Sequence, residues 1–455
     1  MESKSLPKPP KSFKSLIGPG LVLIAMGLGS GEFVLWPYFV SQFGFGIIWG
    51  ALLGILFQYF VSNETGRYTL ATGNSVFIGF KKLSKFFPAW FIISTFLSFA
   101  WPGIIGTGGE ILGRLLGITD FRWLTIGMLI IIGLIFTLGG KVYSTLEKTQ
   151  KLFLLISIPT LILIVVLIVN PETFIEIAKG TIGIGNGYFL FPAGIAIGQF
   201  LGAIAYSGAA GNLILSHSFY IQDKGFAMAG YGEGELEMGK ESYLKELKNQ
   251  FEINSENIKN FKRWFRVVAI EQFLSFVLIG FFAIVLLTII SFELIYPSAT
   301  ANNLEFIFAE SNKLSLISPI LGVMLLVLGV VFLFTTQLGV FESTSRIMSE
   351  NLHMSSSFFA KVSRSKLFFM FLWLQITFAI IITLLNIAAP LQILFLNTIF
   401  SAVSMFVLSG AILWLNSSKH IHKALQPHLF RKIMLAISFL FFGAFTVIAF
   451  IDAIK

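Results

Sequence analysis

Apolar residues fall into eleven blocks, near 15–40, 46–70, 88–116, 123–141, 147–169, 190–220, 264–290, 314–341, 367–387, 392–415 and 430–452. A helix needs about 20 such residues to cross the hydrocarbon layer of a bilayer. The pattern therefore predicts an all-α polytopic membrane protein with eleven spans. Polar positions collect between the blocks, in a tail at 1–14, a loop at 223–262 and a link at 416–432. In the loop, Tyr243, Leu244, Leu247 and Phe251 have helix-like spacing, which predicts a short surface helix within Glu241–Phe261.

Two blocks are interrupted. The first contains Gly27-Leu28-Gly29-Ser30-Gly31-Glu32, three glycines and a serine beside a carboxylate. These are poor helix formers. A broken backbone at membrane depth has to be buried in protein or line a wet cavity, and an ionisable residue there points to function. The alternative is close helix packing, because Gly27 and Gly31 form a G-x-x-x-G pair. The sixth block runs Gly202-Ala203-Ile204-Ala205-Tyr206-Ser207-Gly208-Ala209-Ala210-Gly211-Asn212, followed by His217. Gly-interrupted segments at matching places in two halves are the sequence pointer to an inverted-repeat transporter site. The expected organisation is a cytoplasmic tail (1–14), a first repeat of five spans (15–169), a second (190–415) containing the 223–262 loop, and an eleventh span (430–455).

Composition agrees: 55% apolar and 12% charged residues, with a mean hydropathy of +0.84. With no cysteine, disulfides and thiolate metal sites are excluded. The net charge of +9 needs no nucleic acid to explain it. Of the 32 Lys and Arg residues, only Arg114, Arg122, Lys179, Lys313 and Lys455 fall on the side opposite the tail. The positive-inside rule then predicts a cell or inner membrane protein with its N-terminus in the cytoplasm and its C-terminus outside. The tail has four lysines and three prolines and lacks the plan of a signal peptide.

Other polar positions carry weaker expectations. Trp36 and Tyr38 suit the membrane interface. Glu64 and Arg67 suit a solvated helix end. Pro102 and Pro159 predict kinks. Glu110 and Arg114 are four apart and predict a mutual pair. Glu271 is placed to end at the inner vestibule or to meet Lys262 or Arg266. Thr335, Thr336, Gln337, Glu342, Ser343 and Thr344 on the eighth span, and Asn397, Thr398, Ser401 and Ser404 on the tenth, offer oxygens for a substrate or for helix contacts. His217 is a proton-pathway candidate, although a hydrogen-bonded bundle histidine is the plainer reading. His420, His422 and His428 read as an inner surface and not as a metal site. The chain has no H-E-x-x-H, no nucleophile elbow and no phosphate loop, so a membrane enzyme or sensor is the remote alternative and no cofactor is expected.

Gly18-Pro19-Gly20, the first break, Ser41-Gln42-Phe43-Gly44, Thr65-Gly66-Arg67, Gly211-Asn212-Leu213 and His217-Ser218 together resemble the Nramp divalent-metal transporters over spans 1 to 10. The resemblance implies the LeuT-type fold of the APC superfamily, a 5+5 inverted repeat with an eleventh helix. It also implies a site at the two breaks, with departures. The family's Asp-Pro-Gly-Asn falls on Gly29-Ser30-Gly31-Glu32. Its methionine falls on Ala209 or Ala210, which removes the soft ligand that favours transition metals. Its third-span acids fall on Trp101 and Ile104, while Asn397 matches its tenth-span amide. Gly29-Ser30-Gly31 with Phe33, Val34 and Pro37 also resembles the first span of amino-acid/polyamine/organocation transporters.

The expected function is secondary transport of a hard divalent cation, Mg²⁺- or Mn²⁺-like, with Glu32 as the charged ligand. Gly29, Ser30, Ala209, Ala210, Asn212, Gln337 and Asn397 complete the expected substrate site. An amino acid or organic amine is the alternative cargo. The expected partners are the bilayer and that small solute, with no nucleic acid; the oligomeric state is left open.

Overall fold

The computed structural model describes residues 5–10, 16–232, 234–237, 242–244, 246–247, 251–297 and 303–454. Eight helices are long and apolar enough to cross a membrane: spans 2 (45–72), 3 (86–116), 5 (142–168), 7 (255–295), 8 (319–355), 9 (364–385), 10 (390–417) and 11 (429–454). Three more elements bring the described chain to the expected eleven. Span 1 is a bent pair, Pro19–Ala25 and Leu28–Phe43, with 46° between its halves. Span 4, Arg122–Leu138, has 17 residues. Span 6 is split into Ile197–Ala205 and His217–Asp223.

Local chemistry sets the ends. Span 2 stops at Gly73, whose φ of +74° closes the last turn with an N–H to the Thr69 carbonyl. Span 3 is interrupted between Phe99 and Gly103, where Pro102 cannot donate. Pro159, by contrast, stays within one continuous helix. Span 7 begins at Ser255, capped by the Asn254 side chain, which accepts the Asn257 N–H. It therefore starts well before the expected 264. Span 8 runs to Ser355, past the expected 341, and a separate helix, Glu305–Ile317, precedes it. Two-residue strands at 184–185 and 188–189 pair just ahead of the sixth apolar block.

Span 8 is the central helix. It packs against spans 1, 3, 5 and 9. Span 10 packs against spans 2, 3, 6 and 11. At the N-terminal end, the Leu6 N–H donates to Asn257 Oδ1 at 3.0 Å and Trp264 Nε1 to the Pro7 carbonyl at 2.7 Å, tying the tail to span 7.

Several side chains sit elsewhere than expected. Trp36 and Tyr38 are buried inside the bundle, not at an interface. Glu64 and Arg67 do pair, at 2.6 Å, but both are buried, and Arg431 and Asn416 complete their shell. Glu110 and Arg114 make no ion pair among the described residues; Arg114 lies 5.2 Å from the Phe308 ring centroid. Glu271 makes no ion pair with Lys262 or Arg266 among the described residues and instead accepts the Gly18 and Gly20 N–H groups. Glu241, where the expected loop helix begins, lies outside the described residues, and those described between 242 and 254 are not helical.

Candidate functional site

The first break is narrow. Only Met26 and Gly27 leave the helix, after which Leu28–Leu35 winds as a π-helix. Such wide turns recur at functional sites because they realign the side chains that follow. The glycines serve approach as well as bending. A Cβ on Gly27 would lie 2.7 Å from the Gly208 carbonyl carbon, and one on Gly29 would lie 2.6 Å from the Phe332 carbonyl oxygen. One on Gly31 would collide with the Tyr206 carbonyl. The packing reading of Gly27 and Gly31 is thus correct, and it places the first break directly on the second.

The second break spans Tyr206–Ala210. It holds Gly208 at φ +92° and is followed by a 3₁₀ stretch, Gly211–Ser216. Glu32 crosses between the two breaks. Its Oε1 accepts the Gly208 N–H at 2.9 Å, while Oε2 is buried without a partner among the described residues. Span 8 joins them: Thr336 Oγ1 accepts the Gly29 N–H at 2.9 Å and donates to the Ala25 carbonyl at 3.2 Å. Span 2 contributes Gln58, whose Nε2 donates to the Ala205 carbonyl at 3.0 Å. Trp36 Nε1 donates to Ser207 Oγ at 2.9 Å.

Several residues on the elements around the breaks carry unpaired polar atoms. Both amide atoms of Gln337 and of Asn397, Asn212 Oδ1, Gln58 Oε1 and the Tyr206 hydroxyl are buried with no partner among the described residues. Each such group costs stability unless a ligand uses it. Gln337 follows Thr336 beside the first break. Asn397 lies one turn before Ser401, the residue packed on Gly211. Ser30, Ala209 and Ala210 are buried at the breaks.

Two predicted residues point away. Asn212 donates to Ser94 Oγ and Thr95 Oγ1 of span 3, at 2.8 and 2.9 Å. His217 Nδ1 is 2.9 Å from the Ser62 carbonyl of span 2, beyond the break. Sequence reading missed Gln58, Tyr206 and the bridging position of Thr336. Gln58 and Tyr206 lie inside apolar runs, with no pattern to mark them.

Among the described residues no three His, Cys, Asp or Glu side chains gather to hold a metal. A cation here would rest on one carboxylate and neutral oxygens.

Toward the N-terminal end, polar side chains tie spans 1, 5, 6, 7 and 8 together. Glu271 Oε1 accepts the N–H groups of Gly18 and Gly20, both at 3.2 Å, capping the first half of span 1. Tyr220 donates to Glu342 Oε2 at 3.0 Å, and Ser343 reaches Met26 Sδ at 3.2 Å. Arg346 then joins Glu342 at 3.1 Å to Asp223 at 2.6 Å, locking span 6 to span 8. Lys224 pairs with Glu147 of span 5 at 2.8 Å.

The arrangement of helices as a whole is similar to that of solved transporters. A manganese transporter from Eremococcus coleocola, in a mutant form, superposes with a TM-score of 0.71 at 12% identity, over 98% of this chain and 89% of that one. The same transporter bound to an aromatic bis-isothiourea compound gives 0.70 at 11% identity, over 98% and 89%. Mhp1, of the nucleobase-cation-symport-1 family, closed with bromovinylhydantoin bound, gives 0.50 at 13% identity, over 98% and 92%. The fold is LeuT-type. No described sequence family matches the chain, and no curated protein matches it. At these identities the likeness establishes architecture alone.

Proposed function

We propose that the chain is a secondary transporter that moves a small, hard cation by alternating access, with the cargo held where Glu32 bridges the two breaks. One observation carries this reading: a fully buried carboxylate that spends one oxygen on Gly208 and leaves the other unpaired among the described residues. In this fold, cargo rests between broken helices near mid-membrane. An oxygen-only shell of Glu32 with amide and hydroxyl oxygens suits Mg²⁺ or Mn²⁺ better than a thiophilic ion. The Nramp resemblance and the manganese-transporter neighbour support a metal, while Ala209 and Ala210 argue against a preference for soft ones.

Tracer uptake into proteoliposomes at two pH values, with Mn²⁺ and Mg²⁺, tests cargo and proton coupling together. Glu32→Gln is expected to reduce flux by at least about tenfold, the scale of one lost charge-assisted contact, with little change in melting temperature. Unchanged flux in that variant overturns the assignment of Glu32.

A second reading, an organic amine or amino acid as cargo, is favoured by the amide groups. Gln337 and Asn397 leave N–H donors unpaired as well as oxygens, and a metal ion uses only the oxygens. Thermal-shift screening separates the two, because a ligand of the folded state raises its melting temperature.

A further inference from the structure

At the tail end of the bundle, spans 2, 7 and 11 enclose a cavity of about 700 Å³ that lies apart from the breaks. Its lining carries Arg67, Lys262, Arg266, Lys423, Arg431 and Lys432, and no acidic residue. Behind it, Glu64 is held by Arg67 at 2.6 Å and by Arg431 at 3.3 Å. Both guanidinium groups also lie over the Phe265 ring, at 3.9 and 4.6 Å from its centroid. These two arginines are therefore fixed in place. Lys262, Arg266, Lys423 and Lys432 have no ion pair among the described residues. Six cations thus face one carboxylate.

The cavity also has a direction. Along span 7, the turns after Arg266 present Ile270, Phe273 and Leu274, all exposed and apolar. Span 11, which lines the cavity with Arg431 and Lys432, also carries the exposed apolar residues Phe430 and Ile433 beside them. Cationic groups at the helix ends, continuous with apolar faces rising toward the membrane interior, match a molecule with an anionic head and a hydrocarbon tail. Free phosphate would use only the first part. Basic pockets between helix ends are where anionic lipid head groups bind.

We propose that this cavity is a binding site for an anionic glycerophospholipid. The phosphate sits among Lys262, Arg266 and Lys432, with the acyl chains along Ile270, Phe273 and Leu274. The site is independent of the transported cargo. It joins span 2, which holds Gln58, to span 7, which holds Glu271, so an occupied site cross-links helices on both sides of the first break.

The test is binding of phosphatidylglycerol to the purified full chain, by native mass spectrometry and thermal shift, with phosphatidylcholine as reference. Wild type is expected to retain phosphatidylglycerol and to gain melting temperature with it. Lys262→Gln/Arg266→Gln/Lys432→Gln is expected to weaken that binding by at least about tenfold, given the attraction of each surface cation to anionic lipid. Lys262→Gln and Lys432→Gln alone are expected to weaken it a few-fold, which keeps the test sound if the triple variant does not fold. Lys81→Gln/Lys85→Gln, at a different basic cavity whose Lys82 is paired with Glu246, is expected to bind as wild type. Equal phosphatidylglycerol affinity in wild type and the single variants overturns the proposal. So does a stabilisation by inorganic phosphate or glycerol phosphate that matches the lipid's.

Discussion

Glu32 and Gly208 depend on each other at the residue scale. Gly208 presents its N–H to the carboxylate only because its backbone is left-handed, at φ +92°. An added Cβ would be strained there, and it would also lie 2.6 Å from the Phe276 ring. Gly208→Ala is therefore expected to destabilise the protein by about 1–3 kcal/mol, read as a lower melting temperature. Gly127, inside span 4 with open space around its missing Cβ, is the control. Gly127→Ala is expected to be neutral or to stabilise by roughly 0.5–1 kcal/mol. The charged part of this pair was legible in the sequence, because a carboxylate among glycines in an apolar run is conspicuous. Of the residues around it, Thr336 was legible as one of the eighth-span oxygens. Gln58 acquires meaning only when span 2 closes on the breaks, and Trp36 looks like an interface aromatic until Ser207 accepts its N–H.

Among whole elements, the two interrupted helices were the most legible feature, since glycine clusters weaken a helix wherever the rest of the chain packs. The extent of the first interruption was not. The sequence suggested an unwound stretch from Gly27 to Glu32, whereas hydrogen bonding resumes at once as a π-helix from Leu28. Spans 7 and 8 extend beyond their apolar cores, because polar residues outside the hydrocarbon can continue a helix that hydropathy does not count. The extension of span 8 carries Glu342 and Arg346, which tie it to Asp223 of span 6. Removing one partner of a buried ion pair is costly, about 3–5 kcal/mol. Asp223→Asn is accordingly expected to loosen span 6 from span 8. The chain has no native cysteine, so Ala25→Cys gives a single reporter at the end of the first half of span 1. Its labelling by a membrane-impermeant maleimide from the tail side is expected to rise several-fold when Asp223→Asn is added. Equal labelling would mean that the Arg346 network does not hold span 6 to span 8.

For the molecule as a whole, span number and fold class were readable from hydropathy and the repeat of interruptions, and the LeuT-type architecture agrees with both. Orientation rests on the distribution of Lys and Arg. Lys8→Cys and Asn186→Cys, both at exposed positions, test it in sealed right-side-out vesicles. Asn186→Cys is expected to react with an impermeant reagent and Lys8→Cys to stay protected until the vesicles are opened; the reverse would invert the topology. The segment at residues 5–10 has a practical consequence as well. Leu6 and Pro7 are hooked onto Asn257 and Trp264, seven to fourteen residues ahead of the same helix's Glu271, which grips the start of span 1. A purification handle or fluorescent fusion at the amino end pulls on that hook, and through it on the first half of span 1. The same handle at the carboxyl end hangs from span 11, which packs chiefly on span 10, and does not load that hook.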